Sequence, residues 1–216
     1  MNKKRIRVSP KYLLDPISGK VFSFNEVLNK EEFKFDCQDK NGSRLIFEDR
    51  MQGWFFDQAL KLVDEANSSV VAVHIVTPLI EALRCYMLGR KPSTRESGDF
   101  FKNQADEIFS LLQNNEGARN LLYKGVRCGF AHQGFLKDDD DAYNILISSE
   151  ASNEPIIFDG QIMTIHARKY VEKINEAYQS YFSTLDRDTD KLNKFYEMWK
   201  HQWRMKIRRL IEISGT

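Results

Sequence analysis

From Asp49 onward, apolar residues recur about every three to four positions, and that period suits helices. Met51, Phe55, Ala59, Leu62, Val63 and Ala66 form one such series. Ser97 stands as a candidate N-cap ahead of Phe101, Ala105, Ile108 and Leu112. Ala118, Leu121 and Leu122 place a further helix over about 118–131. Tyr170, Ile174, Ala177, Tyr178, Tyr181 and Leu185 make another stripe, which Asp186-Arg187-Asp188-Thr189 interrupts. Leu192, Phe195, Trp199, Trp203, Ile207 and Leu210 then fall within one arc of a last helix. The window Val70–Leu88 is the most apolar of the chain and contains His74, Pro78, Glu81 and Arg84. Those four residues mark it as a buried helix rather than a membrane span, with Pro78 either kinking it or opening its true first turn.

The period is different elsewhere. Lys20–Phe24 and Arg44–Phe47 are short aromatic and branched runs, with turn signals at Asp15–Gly19 and Asn41-Gly42. Residues 1–48 therefore read as a β-rich attachment. A second β signal spans about 143–165, where Pro155–Phe158 and Gln161–Ile165 flank Asp159-Gly160 in the form of a two-residue hairpin. With 216 residues, of which 42% are hydrophobic, the chain has the mass of one domain with a small attachment. The expected fold is mainly α: six helices around one core in residues 49–216, with the hairpin inserted before the last two.

Lys and Arg number 32 against 31 Asp and Glu, so a global electrostatic hold on nucleic acid is excluded and any such hold must be local. Cys37, Cys85 and Cys128 are an odd, widely spaced set with no CxxC, as expected of a reducing compartment. The opening MNKKRIRVSP carries charge without an apolar run, so no signal peptide is expected and the expected location is cytoplasmic. No phosphate-loop, GxSxG or HExxH pattern occurs, and the four His and three Cys do not fall at metal-ligand spacing; no metal or cofactor is expected. The acidic run Asp138–Asp141 reads as a solvated loop.

One segment carries chemistry. In Leu121-Leu122-Tyr123-Lys124-Gly125-Val126-Arg127-Cys128-Gly129-Phe130-Ala131-His132-Gln133-Gly134, an Arg and a His stand with four residues between them near the end of a helix. The segment resembles the R-x4-6-H motif of the HEPN superfamily, all-α domains common in bacterial RNA-cleaving toxins and defence systems. The likeness covers about 49–185. It implies a HEPN-like bundle, a composite site at a homodimer interface, RNA as substrate, and a toxin–antitoxin or antiviral defence setting with a partner protein. Cys128 stands where many active members have a polar residue. A chain that kept the fold without turnover would instead bind RNA, nucleotide or a partner protein.

The residue types fit RNA cleavage without a metal. An imidazole titrates near neutral pH, so His132 suits the proton transfer at the ribose 2′-hydroxyl or the leaving 5′-oxygen. A guanidinium fork suits the extra charge of a five-coordinate phosphate, which gives Arg127 its role. On a straight α-helix, residues five apart point about 140° away from one another, so the pair needs a loosened helix or a long reach. One chain supplies one such His, whereas cyclising cleavage uses both an acid and a base; a two-fold dimer supplies both.

Other residues are candidates for supporting roles. Glu81 either holds Arg127 or His132 in place or pairs with Arg84 on a solvent face. Tyr123 and Cys128 are supporting candidates beside the motif, Cys128 also as a thiol. In the last helix, Lys200, Arg204 and Arg208 lie largely opposite the aromatic stripe and are candidate RNA-phosphate contacts, together with Lys3, Lys4, Arg5 and Arg7 near the start.

Overall fold

Four short strands near the start of the chain form an antiparallel meander. In the computed structural model they are β1 (Ile6–Arg7), β2 (Tyr12–Leu14), β3 (Lys20–Asn25) and β4 (Lys30–Asp36), in the spatial order β1-β2-β3-β4. The structure describes residues 5–15, 18–25, 30–65, 67–130 and 144–214, and the side chains among them other than those of 25, 30 and 203–214. Leu14 and Val21 pair across β2 and β3 and are fully buried on one face of the sheet. Phe22 and Phe24 alternate onto the other.

Helix α1 (Lys40–Arg50) follows at once. It contains Arg44–Phe47, which the sequence pattern assigns to a strand, and Asn41-Gly42, assigned to a turn. The helix therefore begins earlier than the expected change at Asp49. Asp39 caps it through the Gly42 amide, and Ile46, Phe47 and Met51 recur at helical spacing toward the core. Gly42 sits in the first turn because the Phe35 ring fills the space a Cβ would need. A π-helical turn (Met51–Phe56) leads from α1 into α2 (Asp57–Asp64).

The chain divides into two compact units, the first made of Met1–Trp54, Tyr86–Arg90 and Phe182–Thr216, the second of Phe55–Cys85 and Lys91–Tyr181. The first has an aromatic core. Phe47 lies 4.2 Å from Tyr86, 5.8 Å from Phe182, 5.5 Å from Phe195 and 6.0 Å from Trp199, centroid to centroid. Phe195 and Trp199 come from the last helix, α7 (Thr189–Ser214), and both are buried in this core. Arg50 donates from Nε and Nη2 to the Val8 carbonyl, and burial lowers its pKa.

In the second unit, α3 (Ser69–Leu88) contributes the buried Ala72, Val73, Val76, Ile80 and Leu83 and runs uninterrupted through Pro78. Among the described residues it is the one helix long and apolar enough, by length and composition, to cross a membrane. α4 (Ser97–Ile108) and α5 (Glu116–Leu121) follow; α5 continues as a second π-helical turn, Leu122–Cys128. The second sheet comprises β5 (Ile145–Ser148), β6 (Ile156–Phe158) and β7 (Met163–His166), in the order β5-β7-β6. Phe158 pairs with Met163, so the connection is Asp159–Ile162 rather than the expected two-residue turn. The cause is the Asp159 carboxylate, which accepts from the amides of Gln161 and Ile162, with Gly160 at a φ of 104°. β5 adds to this hairpin in parallel.

Helix α6 (Ala167–Leu185) buries Tyr170, Val171, Ile174 and Tyr178 along its apolar stripe. Tyr170 stacks on Phe109 at 5.0 Å and shares a 3.2 Å hydrogen bond with the Thr77 hydroxyl, and burial raises its pKa. Tyr178 donates to the Leu79 carbonyl at 2.9 Å. With α1, its π-turn and α2 counted as one rod and α5 with its extension as another, the described residues form six helical rods and two small sheets. The protein is mainly α.

Candidate functional site

The motif-bearing helix starts at Asn115, whose side chain accepts from the Ala118 amide at 3.0 Å. Ala118, Leu122, Gly125 and Val126 turn inward and are buried, which leaves Tyr123, Arg127 and Cys128 half-buried at the surface. The π-helical turn matters for that arrangement. Its i→i+5 bonding brings residues five apart onto one face. Tyr123 and Cys128 are five apart, and their hydroxyl and thiol sit side by side. An α-helix would point them about 140° apart.

Arg127 donates from Nε and Nη2 to Oε2 of Glu81, at 3.1 and 2.7 Å. The other carboxylate oxygen of Glu81 accepts from the Ser97 hydroxyl at 2.9 Å. Three helices thus meet in one polar chain: Ser97 from α4, Glu81 from α3, Arg127 from the π-turn. Burial by itself lowers the pKa of the guanidinium, but the Glu81 hydrogen bonds and charge reverse the effect and leave it raised. Glu81 therefore serves Arg127 and not Arg84, which pairs with Glu107 at 2.8 Å. Arg127 spends two of its five N–H donors on this pair. Its Nη1 has no partner among the described residues.

Tyr123 lies against the neighbouring elements. Its ring is 5.7 Å from Phe101 and touches the position of a Cβ on Gly98 at 3.2 Å. Its hydroxyl pKa is raised, first by burial and then by the adjacent Cys128. Lys102 lies 5.3 Å from the same ring and bonds Asn120 at 2.7 Å, a second cation beside Arg127's helix that the sequence pattern did not single out. Ser97 also had another expected role. It is the first residue of α4, whose cap position is Glu96, and its hydroxyl goes to Glu81.

Comparison with models of known protein families, with curated proteins and with solved structures returns no match.

His132, the second half of the motif, lies outside the described residues, as do the acidic run Asp138–Asp141 and Lys3 and Lys4. Of the remaining imidazoles, His74 stacks on Phe130 at 4.5 Å, three residues beyond Arg127. It stands two turns before Glu81 on α3. His166 is buried and meets the Glu150 carbonyl through Nδ1 at 3.3 Å; His201 is exposed. Lys200 bonds Glu197 at 2.6 Å and lies 5.1 Å from the Tyr196 ring. Arg204 and Arg208 belong to α7, and their side chains are outside the described set. Among the described residues no group of three or more His, Cys, Asp or Glu could hold a metal ion.

Proposed function

We propose that this protein is a HEPN-like, metal-independent endoribonuclease that works as a homodimer in the cytoplasm, as a toxin or effector of a bacterial defence or toxin–antitoxin system with its partner protein. The observation that carries the reading is the state of Arg127. Its guanidinium is fixed by Glu81, which Ser97 fixes in turn, while the Nη1 edge is left to take a second oxyanion. A phosphate placed there is held before charge develops on it, which is the condition for electrostatic catalysis. The reading also rests on the motif itself, in which His132 follows the π-turn that carries Arg127.

In the reaction, a His132 imidazole takes the proton of the ribose 2′-hydroxyl. The 2′-oxygen attacks phosphorus, and the bond to the 5′-oxygen breaks. The partner's imidazole protonates that oxygen, giving a 2′,3′-cyclic phosphate and a 5′-hydroxyl. Arg127 holds the non-bridging oxygens throughout. Purified protein should cleave single-stranded RNA in the presence of a chelator and lose cleavage in Arg127→Ala and in His132→Ala, both still folded by circular dichroism. RNA left intact by the wild type, or cleaved normally by both variants, overturns the proposal.

A second reading has one observation in its favour. Cys128 sits beside Tyr123 rather than offering a phosphate ligand, and Glu81 neutralises the charge of Arg127. On this reading the HEPN-like fold binds RNA, nucleotide or a partner protein without turnover. Saturable RNA binding with no product selects it.

A further inference from the structure

The solvent-side face of α3 leads onto Arg127. At about 100° per residue, Val70, Val71, His74, Pro78 and Glu81 fall within one arc, opposite the buried Ala72, Val73, Val76 and Ile80. Val70 and Val71 are 43% and 48% exposed, and Pro78 is exposed as well. Apart from His74, the ionisable side chain in the arc is Glu81, and Arg127 holds it. His74 stands between the apolar side chains and that ion pair. One face of its ring rests on Phe130, at 4.5 Å between centroids and 16° between planes, and Phe130 is buried beneath it. The residue is half-buried, so what it still exposes is the opposite face and the edge. Neither ring nitrogen has a hydrogen-bond partner among the described residues. The motif helix closes the circuit. Phe130 follows Arg127 by one turn, Glu81 follows His74 by two, and Arg127 bonds Glu81 at 2.7 Å. His74 and Arg127 therefore line the same seam between α3 and the motif helix, and all four residues belong to the second compact unit.

We infer that this seam is a nucleobase subsite: the base of the nucleotide adjoining the phosphate on Arg127 stacks on the open face of His74, between Val71 and Pro78. Unpaired bases stack on imidazole as they do on other aromatic rings. Phe130 already holds the imidazole flat, so little side-chain freedom is lost when a base is added. Val71 and Pro78 stand about one turn to either side of His74 and give the stack aliphatic edges from which water is displaced. A phosphate gains nothing on this stretch, which carries no Lys or Arg; its place is the Nη1 edge of Arg127, at the end of the arc. A paired duplex hides its base faces and gains nothing from the ring. The choice of a ribonucleotide rests on the nuclease reading, which puts the phosphate at Arg127.

The test uses fluorescence anisotropy of the full-length protein with a labelled 2′-O-methyl tetrauridine, which lacks the nucleophilic hydroxyl and so separates binding from turnover. Removing the base at one position of the oligomer should weaken binding roughly five- to a hundred-fold. His74→Leu should weaken binding of the intact oligomer by a similar factor and abolish that penalty, whereas His74→Phe, which keeps a flat ring, retains both. His74→Gln serves the same purpose as His74→Leu if the latter does not fold by circular dichroism. Because no phosphate sits on His74, the log–log salt slope should be unchanged in His74→Leu, while Arg127→Gln flattens it by about 0.7. Absence of saturable binding overturns the inference, as does a base-removal penalty that is missing at every position or persists in His74→Leu. Identical behaviour of His74→Leu and His74→Phe also overturns it. So does a change of sedimentation mass in His74→Leu with oligomer binding unaltered, since the arc would then belong to a contact between copies of the chain. Cleavage of unmodified RNA at the wild-type rate in His74→Leu, with RNA subsaturating, defeats the subsite and leaves the nuclease reading standing. Binding that depends on the base through His74, with unmodified RNA left intact, defeats the nuclease reading alone.

Discussion

Glu81 is the residue through which the Arg127 site is held. With 15% of its side chain exposed against 23% for Arg127, the pair is shielded enough to differ from an ordinary surface bridge. Glu81→Ala strips the guanidinium of its partner and leaves the Ser97 hydroxyl without an acceptor. The expected loss is about 1–3 kcal/mol of unfolding free energy in urea titration, and Ser97→Ala should cost less, about 0.5–1.5 kcal/mol. Adding Arg127→Ala to Glu81→Ala should cost less than the sum of the two single changes, because the charge that would be stranded is gone. A fully additive pair would mean the ion pair contributes nothing. Much of this site was legible in the sequence as a set of residues but not as a set of bonds. Arg127 and Glu81 stood out as charges in apolar helices, yet 46 positions separate them, and periodicity could not choose between Arg84 and Arg127 as the partner. The sequence shows only a local role for Ser97, since a hydroxyl before an apolar helix looks like a cap whatever it bonds across the fold.

At the scale of elements, the helices were legible because their stripes are long, while the local exceptions depend on single side chains. Arg44–Phe47 has strand composition, but Asp39 caps a helix there, and the Phe35 ring requires a glycine at position 42, which the sequence shows as a turn signal. The π-turn that aligns Tyr123 with Cys128 leaves no mark on an apolar pattern one turn long. Capping lends itself to a direct measurement. Asn115 satisfies the Ala118 amide at the start of the site helix, so Asn115→Ala should cost about 0.5–2 kcal/mol by thermal or urea unfolding, and Asn115→Ser much less. The β6–β7 connection has a pH dependence of known sign. Backbone amides of Ile162 and Gln161 lower the Asp159 pKa below its unfolded value near 4. The turn is thus fully held above that pH and is released as pH falls through the lower, folded value. Amide resonances of Gln161 and Ile162 should shift together in an acid titration, and the shift should vanish in Asp159→Asn.

For the whole molecule, sequence patterns report faces but not which faces meet. Phe47, Tyr86, Phe182, Phe195 and Trp199 converge in one unit from stretches that lie far apart along the chain, and the two units interleave in sequence. A boundary placed at a single position could not describe that. The same distinction between face and partner governs the proposed catalysis. Cyclising cleavage uses an acid and a base, the motif supplies one imidazole per chain, and a two-fold axis doubles it. Activity then belongs to the dimer and not to the chain. Far below the dimer dissociation constant the dimer concentration falls with the square of total protein, so cleavage rate per chain should fall in proportion to dilution. Well above that constant it should be flat. Sedimentation or light scattering on the same dilution series locates the constant independently, and the two midpoints should coincide. A rate per chain that stays level while the protein dissociates would place both proton transfers within one subunit, and the two-fold site would have to be abandoned even if RNA is cut.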